Sequence, residues 1–327
     1  MMEIMELAES IKGYLKDTWR KKNNMGLPKI IAIVGPNASG KSSAGIKLAE
    51  AFNGEIISAD SRQIYRGFDL CCGKITPEEA KIVPHHMLDI KDIGEPFSVA
   101  AYQSDVYKLI PQIIERSRTP FIVGGTGLYV ASVVEGYEYE NENTDRAFRE
   151  KIETMTIENL WSMLSAESVE RLSKNPSDSK NKRRIIRFLE KEHYGISFEP
   201  RKTPKFDALQ IGVTWPKEKL HERIDERLLS RIEQGMIDEV KNYLENNGQP
   251  KYLENLGLEY KYILWYLQGK YQSLEEFKLE MSRAIKRFAK SQMTWFRGDS
   301  RRDKIYWLDM NADYLKQASA LISNFLV

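Results

Sequence analysis

Two textures of apolar residues alternate along this chain. Lys29-Ile-Ile-Ala-Ile-Val34 and Pro120–Val123 are strand-length runs of the kind that a sheet covered on both faces produces, and Glu55–Ser58 reads as a further strand. Between them, helical spacing predicts helices over Lys41–Phe52 and Ser98–Ser117. Strand, helix, strand in this order predicts a parallel sheet with right-handed crossovers. From Glu138 the runs give way to short, charged helical segments that pass through Asn175-Pro-Ser-Asp178 to Lys205, an insertion over residues 138–204. An extended segment resumes at Ala208–Val213. Helical patterns follow over Lys217–Asn246, Tyr260–Gln268 and Ser273–Phe296, then a last strand over Lys304–Leu308 and a terminal helix. At the start, Ile4, Leu7, Ile11, Tyr14 and Leu15 predict an amphipathic helix within an extension of residues 1–27.

Between the first strand and the first helix stands Gly35-Pro36-Asn37-Ala38-Ser39-Gly40-Lys41-Ser42. Two glycines flanking four residues, then lysine and serine, form a phosphate loop in its proper strand-to-helix context. Backbone N–H groups, the helix N-terminus and the lysine all favour phosphate oxygens, and Ser42 can reach an oxygen or a bound magnesium ion. The loop leaves open whether the phosphate is the group transferred, as in kinases, or a leaving group. It completes the predicted class: α/β, a phosphate-loop-kinase-like parallel sheet flanked by helices over 28–137 and 205–327, with a helical insertion and a helical C-terminal region.

The second strand ends at Ala59-Asp60-Ser61-Arg62-Gln63, so Asp60 falls at the carboxyl edge of the sheet beside the loop, where open α/β sheets bind ligands. A carboxylate there can hold magnesium, take a proton from an incoming nucleophile, or cap the following turn.

Five blocks together resemble the tRNA dimethylallyltransferase (tRNA isopentenyltransferase) family: Gly35–Ser42, Ile56–Gly67, Pro84–Ile90, Val123–Tyr129 and Ala289–Arg297. The resemblance covers nearly all of the chain after Pro28. It implies transfer of a dimethylallyl group from dimethylallyl diphosphate to the exocyclic amine of the adenine 3′ of the anticodon in tRNA, with release of diphosphate. It implies Asp60 as general base, Lys41 and Ser42 on the diphosphate with Mg2+, and Arg223 as a further catalytic cation. For the anticodon stem-loop it points to Asp60, Ser61, Arg62, Gln63, Thr126, Arg149, Arg183, Arg184 and Arg187. Arg183 and Arg187 share a face if their segment is helical. Arg283, Arg287, Lys290, Gln292 and Trp295 follow the family's closing helix, with Trp295 and Phe296 expected in the core. Arg227 is expected on a solvated helix face.

Two departures from the family pattern stand out. After Asp69 the usual Gly-Thr-Ala-Lys is replaced by Cys71-Cys72-Gly73-Lys74, and Glu259 stands where a glycine precedes Tyr260-Lys261.

Composition narrows the alternatives. A formal net charge of +2 over 327 residues does not by itself require a polyanionic partner, but Lys180–Arg187 and Arg283–Arg302 are basic while Glu135–Glu153 is acidic. Nucleic acid on one face is compatible with that distribution. No apolar run approaches the ~20 residues that cross a membrane, so a cytoplasmic protein without a membrane partner is expected, and a monomer is expected as well. Adjacent Cys71 and Cys72 are expected to be reduced structural thiols, and adjacent His85 and His86 are not expected to bind metal. A phosphate-loop ATP kinase and a non-catalytic RNA-binding relative are the rival readings. Retention of both Lys41 and Asp60 weighs against the latter.

Overall fold

The computed structural model describes residues 26–139, 146–174, 179–198, 201–298 and 301–327. The predicted N-terminal helix and Asn175–Asp178 lie outside them. The described residues form two compact units, Tyr137–Thr203 and the remainder.

The larger unit is built on six parallel strands: β1 (Lys29–Val34), β2 (Gly54–Ser58), β3 (His85–His86), β4 (Thr119–Gly124), β5 (Asp207–Thr214) and β6 (Ile305–Asp309), in the order β3-β2-β4-β1-β5-β6. β1 is central, paired with β4 and β5. Its unbroken apolar run follows from that position. Ile30, Ala32 and Val34 pack with Tyr102, Val106 and Ile110 of the helix Val99–Glu115, whereas Ile31 and Ile33 pack with Ile46, Leu48 and Ile322 of the helices Lys41–Ala51 and Tyr314–Leu326. Alternate residues thus serve opposite faces, and no position is left for a polar side chain.

Serines fix two helix starts, Ser98 accepting from the Ala101 N–H and Ser273 from the Glu276 N–H. The pattern over Lys217–Asn246 is two helices instead of one, Lys217–Glu233 and Met236–Glu245. Gly235 lies between them at φ 100°, a left-handed conformation that ends the first helix. β3, only two residues long, is too short to leave a periodic signal. Beyond the carboxyl end of the sheet a third cluster joins Leu220, Ile224, Leu228, Met236, Tyr260, Phe277 and Met281 from the C-terminal helices. The unit Tyr137–Thr203 has its own core of Ile152, Leu160, Leu172, Ile185, Ile186 and Leu189. Among the described residues no helix is long and apolar enough to cross a membrane.

Glu55 ties the sheet edge together. Its carboxylate, buried at the start of β2, accepts from Arg116 at 2.9 and 2.6 Å and lies 2.7 Å from His86 Nε2 on β3. Burial pushes its pKa up, but the Arg116 and His86 hydrogen bonds outweigh this and hold it below the usual carboxylate value. A depressed carboxylate stabilises the fold above its unfolded pKa and loses that contribution as pH falls through the folded one. Glu55→Gln is expected to cost about 1–3 kcal/mol at pH 7, with the gap to wild type narrowing toward pH 4. Thermal unfolding across that range checks it; an equal gap at both ends contradicts an ionised Glu55.

Candidate active site

β1 delivers the chain into the loop at Gly35, where a Cβ would lie 2.5 Å from the Val213 carbonyl oxygen, so only glycine fits against β5. Ala38 and Gly40 take positive φ, 60° and 88°, and the helix begins at Lys41. Alternating backbone handedness of this kind forms a concave anion nest at a helix N-terminus. The loop is fastened from three sides. Trp215 Nε1 donates to the Ser39 carbonyl at 3.1 Å, Arg223 Nε to the Ala38 carbonyl at 3.1 Å, and the Asn37 N–H to Gln292 Oε1 at 2.9 Å. Gln292 Nε2 in turn donates to the Gly125 carbonyl at 3.0 Å. Lys41 is buried, its Nζ 3.3 Å from the Pro36 carbonyl. Burial lowers its pKa to about 8; Asp60 acts in the opposite sense, and Arg227 and Arg231 reinforce the lowering.

Asp60 follows β2, whose end presses on β4: a Cβ on Gly124 would lie 2.2 Å from the Ala59 carbonyl oxygen. Its Oδ1 accepts the Arg62 N–H at 3.0 Å, so it does cap the turn. The same carboxylate also lines a cavity with Lys41 and Ser42. The capping and chemical roles coexist. Ser61 N–H donates to Thr126 Oγ1 at 3.0 Å, and Gln63 bridges the Ser58 hydroxyl (2.8 Å) and the Gly73 carbonyl (3.1 Å). Arg62 turns its guanidinium inward, 2.8 Å from Glu259 and 4.9 Å from the Phe288 ring centre. The departure at Glu259 is therefore the buried counter-charge of Arg62.

Arg223, Arg227 and Arg231 stand four residues apart on the helix Lys217–Glu233 and share one face. Arg223, beyond its bond to Ala38, lies 4.8 Å from the Trp215 ring centre. It borders an outer cavity of ≈ 420 Å³ with Lys41, Ser42, Lys74, Glu226 and Arg227. Arg227, expected on a solvated face, lines both this cavity and the inner one with Asp60. Its side chain is solvent-exposed, as on a solvated face, and at the cavity wall desolvation and then Arg231 lower its pKa to about 10. The spacing of four could have flagged Arg227 and Arg231; the surrounding acidic residues hid it. Ile224, Leu228, Met236, Met281 and Ile285 give the inner cavity an apolar wall. Cys72 lines it too, its thiol donating to the Phe68 carbonyl at 2.8 Å and its pKa pushed up to about 12 by burial; Cys71 is also a free thiol and is buried. Trp295 packs against Gly127 and lies 3.9 Å beneath the Arg301 guanidinium, while Phe296 is in the core.

Arg149, Arg183, Arg184 and Arg187 belong to the other unit. Arg149 pairs with Glu153 (2.8 Å) and Glu190 (3.1 Å), and Arg187 reaches the same Glu190 at 3.5 Å. Arg183 and Arg184 are exposed on the helix Lys182–Tyr194.

Among the described residues no cluster of three or more His, Cys, Asp and Glu is placed to hold a metal ion. The Ser42 hydroxyl on the inner cavity suits a Mg2+ ion, which takes few protein oxygens and completes its shell with phosphate and water.

Residues 63–299 match the family described as IPP transferase. The chain belongs to this family. It is 40% identical over 313 residues to a tRNA dimethylallyltransferase of Carboxydothermus hydrogenoformans, covering 91% of this chain and 99% of that one. A second such enzyme, of Heliobacterium modesticaldum, is 41% identical over 283 residues, covering 82% and 87%. Among solved structures, the full-length tRNA isopentenylpyrophosphate transferase of Bacillus halodurans is similar with TM-score 0.66 and 36% identity, covering 91% and 95%. A eukaryotic dimethylallyltransferase acting on tRNA is similar with TM-score 0.76 and 25% identity, covering 91% and 79%.

The Lys41 pKa of about 8 sets a pH dependence for any IPP transferase anion held in this loop. Below pH 8 the free enzyme presents a charged lysine; above it, binding must include proton uptake. Affinity for inorganic diphosphate should fall from pH 7 to 9.5 more steeply in wild type than in Lys41→Arg. Titration calorimetry in two buffers of different ionisation enthalpy reads both the affinity and the proton uptake. Parallel pH profiles would show that Lys41 is already charged at pH 9.5.

Proposed function

We propose that this IPP transferase family member moves a dimethylallyl group from dimethylallyl diphosphate to the exocyclic amine of the adenine 3′ of the anticodon in tRNA, releasing diphosphate. The observation that carries the proposal is one cavity holding three things: the Lys41–Ser42 end of a phosphate loop, the Asp60 carboxylate, and an apolar wall of Ile224, Leu228, Met236, Met281 and Ile285. The first suits a diphosphate, the third a short prenyl chain, and the second the proton of an incoming amine.

In the reaction the allylic C–O bond breaks with its electron pair leaving on diphosphate, and the amine nitrogen forms the new C–N bond. Asp60 accepts the proton that the amine loses as the C–N bond forms, because an exocyclic adenine amine is a weak nucleophile and needs a base to relieve the positive charge growing on its nitrogen. Lys41, Arg227 and the loop N–H groups bind the developing charge on the leaving group. Arg223 acts through the loop it fastens at Ala38. Ser42 would hold Mg2+, which supplies further neutralisation of the diphosphate. A stacked adenine cannot reach Asp60, so the base must be turned out of the loop. Asp60–Gln63 and Thr126 form its proposed surroundings, and Arg149, Arg183, Arg184 and Arg187 are proposed contacts to the anticodon stem phosphates. We place the enzyme with the cytoplasmic tRNA pool, as a monomer.

Incubating the protein with Mg2+, dimethylallyl diphosphate and unmodified tRNA should yield one prenylated adenosine beside the anticodon on nuclease digestion and mass spectrometry. Unchanged tRNA, with phosphoryl transfer from ATP to a small acceptor, would sink the proposal. Asp60→Asn should lower kcat by about 10²–10⁴-fold while leaving donor affinity within roughly two-fold; normal turnover rules out the general-base role.

A further inference from the structure

Gly73 ends the short helix Asp69–Cys72 at φ 61°. A Cβ added there would lie 1.5 Å from Arg231 Nη2 and 2.4 Å from Arg227 Nη2. The space of the missing methyl is filled by two guanidinium tips. Neither arginine has a carboxylate within ion-pair distance among the described residues, and both line the inner cavity with Lys41. Three cations, Lys41, Arg227 and Arg231, line the cavity with Asp60, while Glu259, the other carboxylate on it, is taken by Arg62. Like charges packed this closely repel, and the repulsion is relieved when an anion of matching charge enters between them.

We propose that Arg231, admitted by Gly73, is a diphosphate-binding residue that joins Lys41 and Arg227 on the donor and stays on the departing diphosphate. The identity of the donor rests on the prenyl-transfer reading; the anion site itself does not. Arg231 thereby adds to the grip on the leaving group that Lys41 and Arg227 provide, and it makes released diphosphate a strong product inhibitor. Glycine at position 73 is the steric condition for that grip: a Cβ there would take the place in which the two tips meet.

Inorganic diphosphate is the probe, titrated into the full chain at fixed Mg2+ so that no step of prenyl transfer is involved. Arg231→Met is expected to weaken binding roughly 10- to 100-fold, as for loss of a hydrogen bond to a charged group. The salt dependence of affinity should become shallower, and Arg231→Lys should recover part of the loss. Gly73→Ala should weaken binding in wild type and cost much less when Arg231→Met is already present, since coupled neighbours are non-additive. If Arg231→Met lowers the melting temperature but leaves affinity and salt dependence unchanged, Arg231 is structural and the proposal is overturned. Arg231-dependent diphosphate binding in a protein that prenylates no tRNA would sustain this site and overturn the reaction assigned to it. Normal prenylation with Arg231-independent binding would do the reverse.

Discussion

Lys41 sits buried at the first turn of its helix, with Arg227 and Arg231 lowering its pKa and Asp60 raising it. Charges held that way tend to move apart or draw in water, and the surrounding structure serves to prevent it. The parallel sheet brings the ends of β1, β2 and β4 together, and Gly35 and Gly124 allow backbones to approach where a Cβ would collide. Trp215, Arg223 and Gln292 then pin three consecutive loop residues, Ser39, Ala38 and Asn37. Each of the three comes from a different element beyond the loop, so the anion site is assembled by the whole larger unit.

The chemistry follows from how that cationic end is bounded. A kinase and a prenyltransferase can share a phosphate loop, because the loop recognises phosphate and not the bond that breaks. What differs here is the inner wall, where Ile224 and Leu228 alternate along one helix with the arginines and Met281 and Ile285 face them from the closing helix Leu274–Phe296. The cavity therefore passes from charged to apolar within one helical turn. A diphosphate with a short hydrocarbon attached matches that gradient better than a polar nucleotide chain does. Asp60, tied by its own turn to Arg62, presents a fixed carboxylate beside it.

Much of the fold can be read from local pattern, because β1 and β4 are buried along their length and carry continuous apolar runs. The phosphate loop and Asp60 were equally visible, since each needs only neighbours in sequence. What escaped depends on contacts far along the chain. Gly235 broke a helix that periodicity carried through. Glu259 departs from the local pattern for a reason that lies 197 residues away, in its partner Arg62. Arg227 and Arg231 lie on the charged helix Lys217–Glu233, whose solvated and cavity-facing readings share the same letters, and the cavity they line separates them. The insertion arginines show the opposite limit: their helix was foreseeable, but the pairing of Arg149 and Arg187 through the buried Glu190 was not.

The central claim is that carbon moves and the whole diphosphate leaves. Dimethylallyl diphosphate labelled separately in its allyl carbon and in its phosphorus, incubated with the protein, Mg2+ and unmodified tRNA, tests it directly. The account predicts carbon label in a single adenosine of the tRNA and all phosphorus label in free inorganic diphosphate, released in equal amount. Phosphorus label on the acceptor, or carbon label left wholly on the donor while phosphate is released, would contradict it.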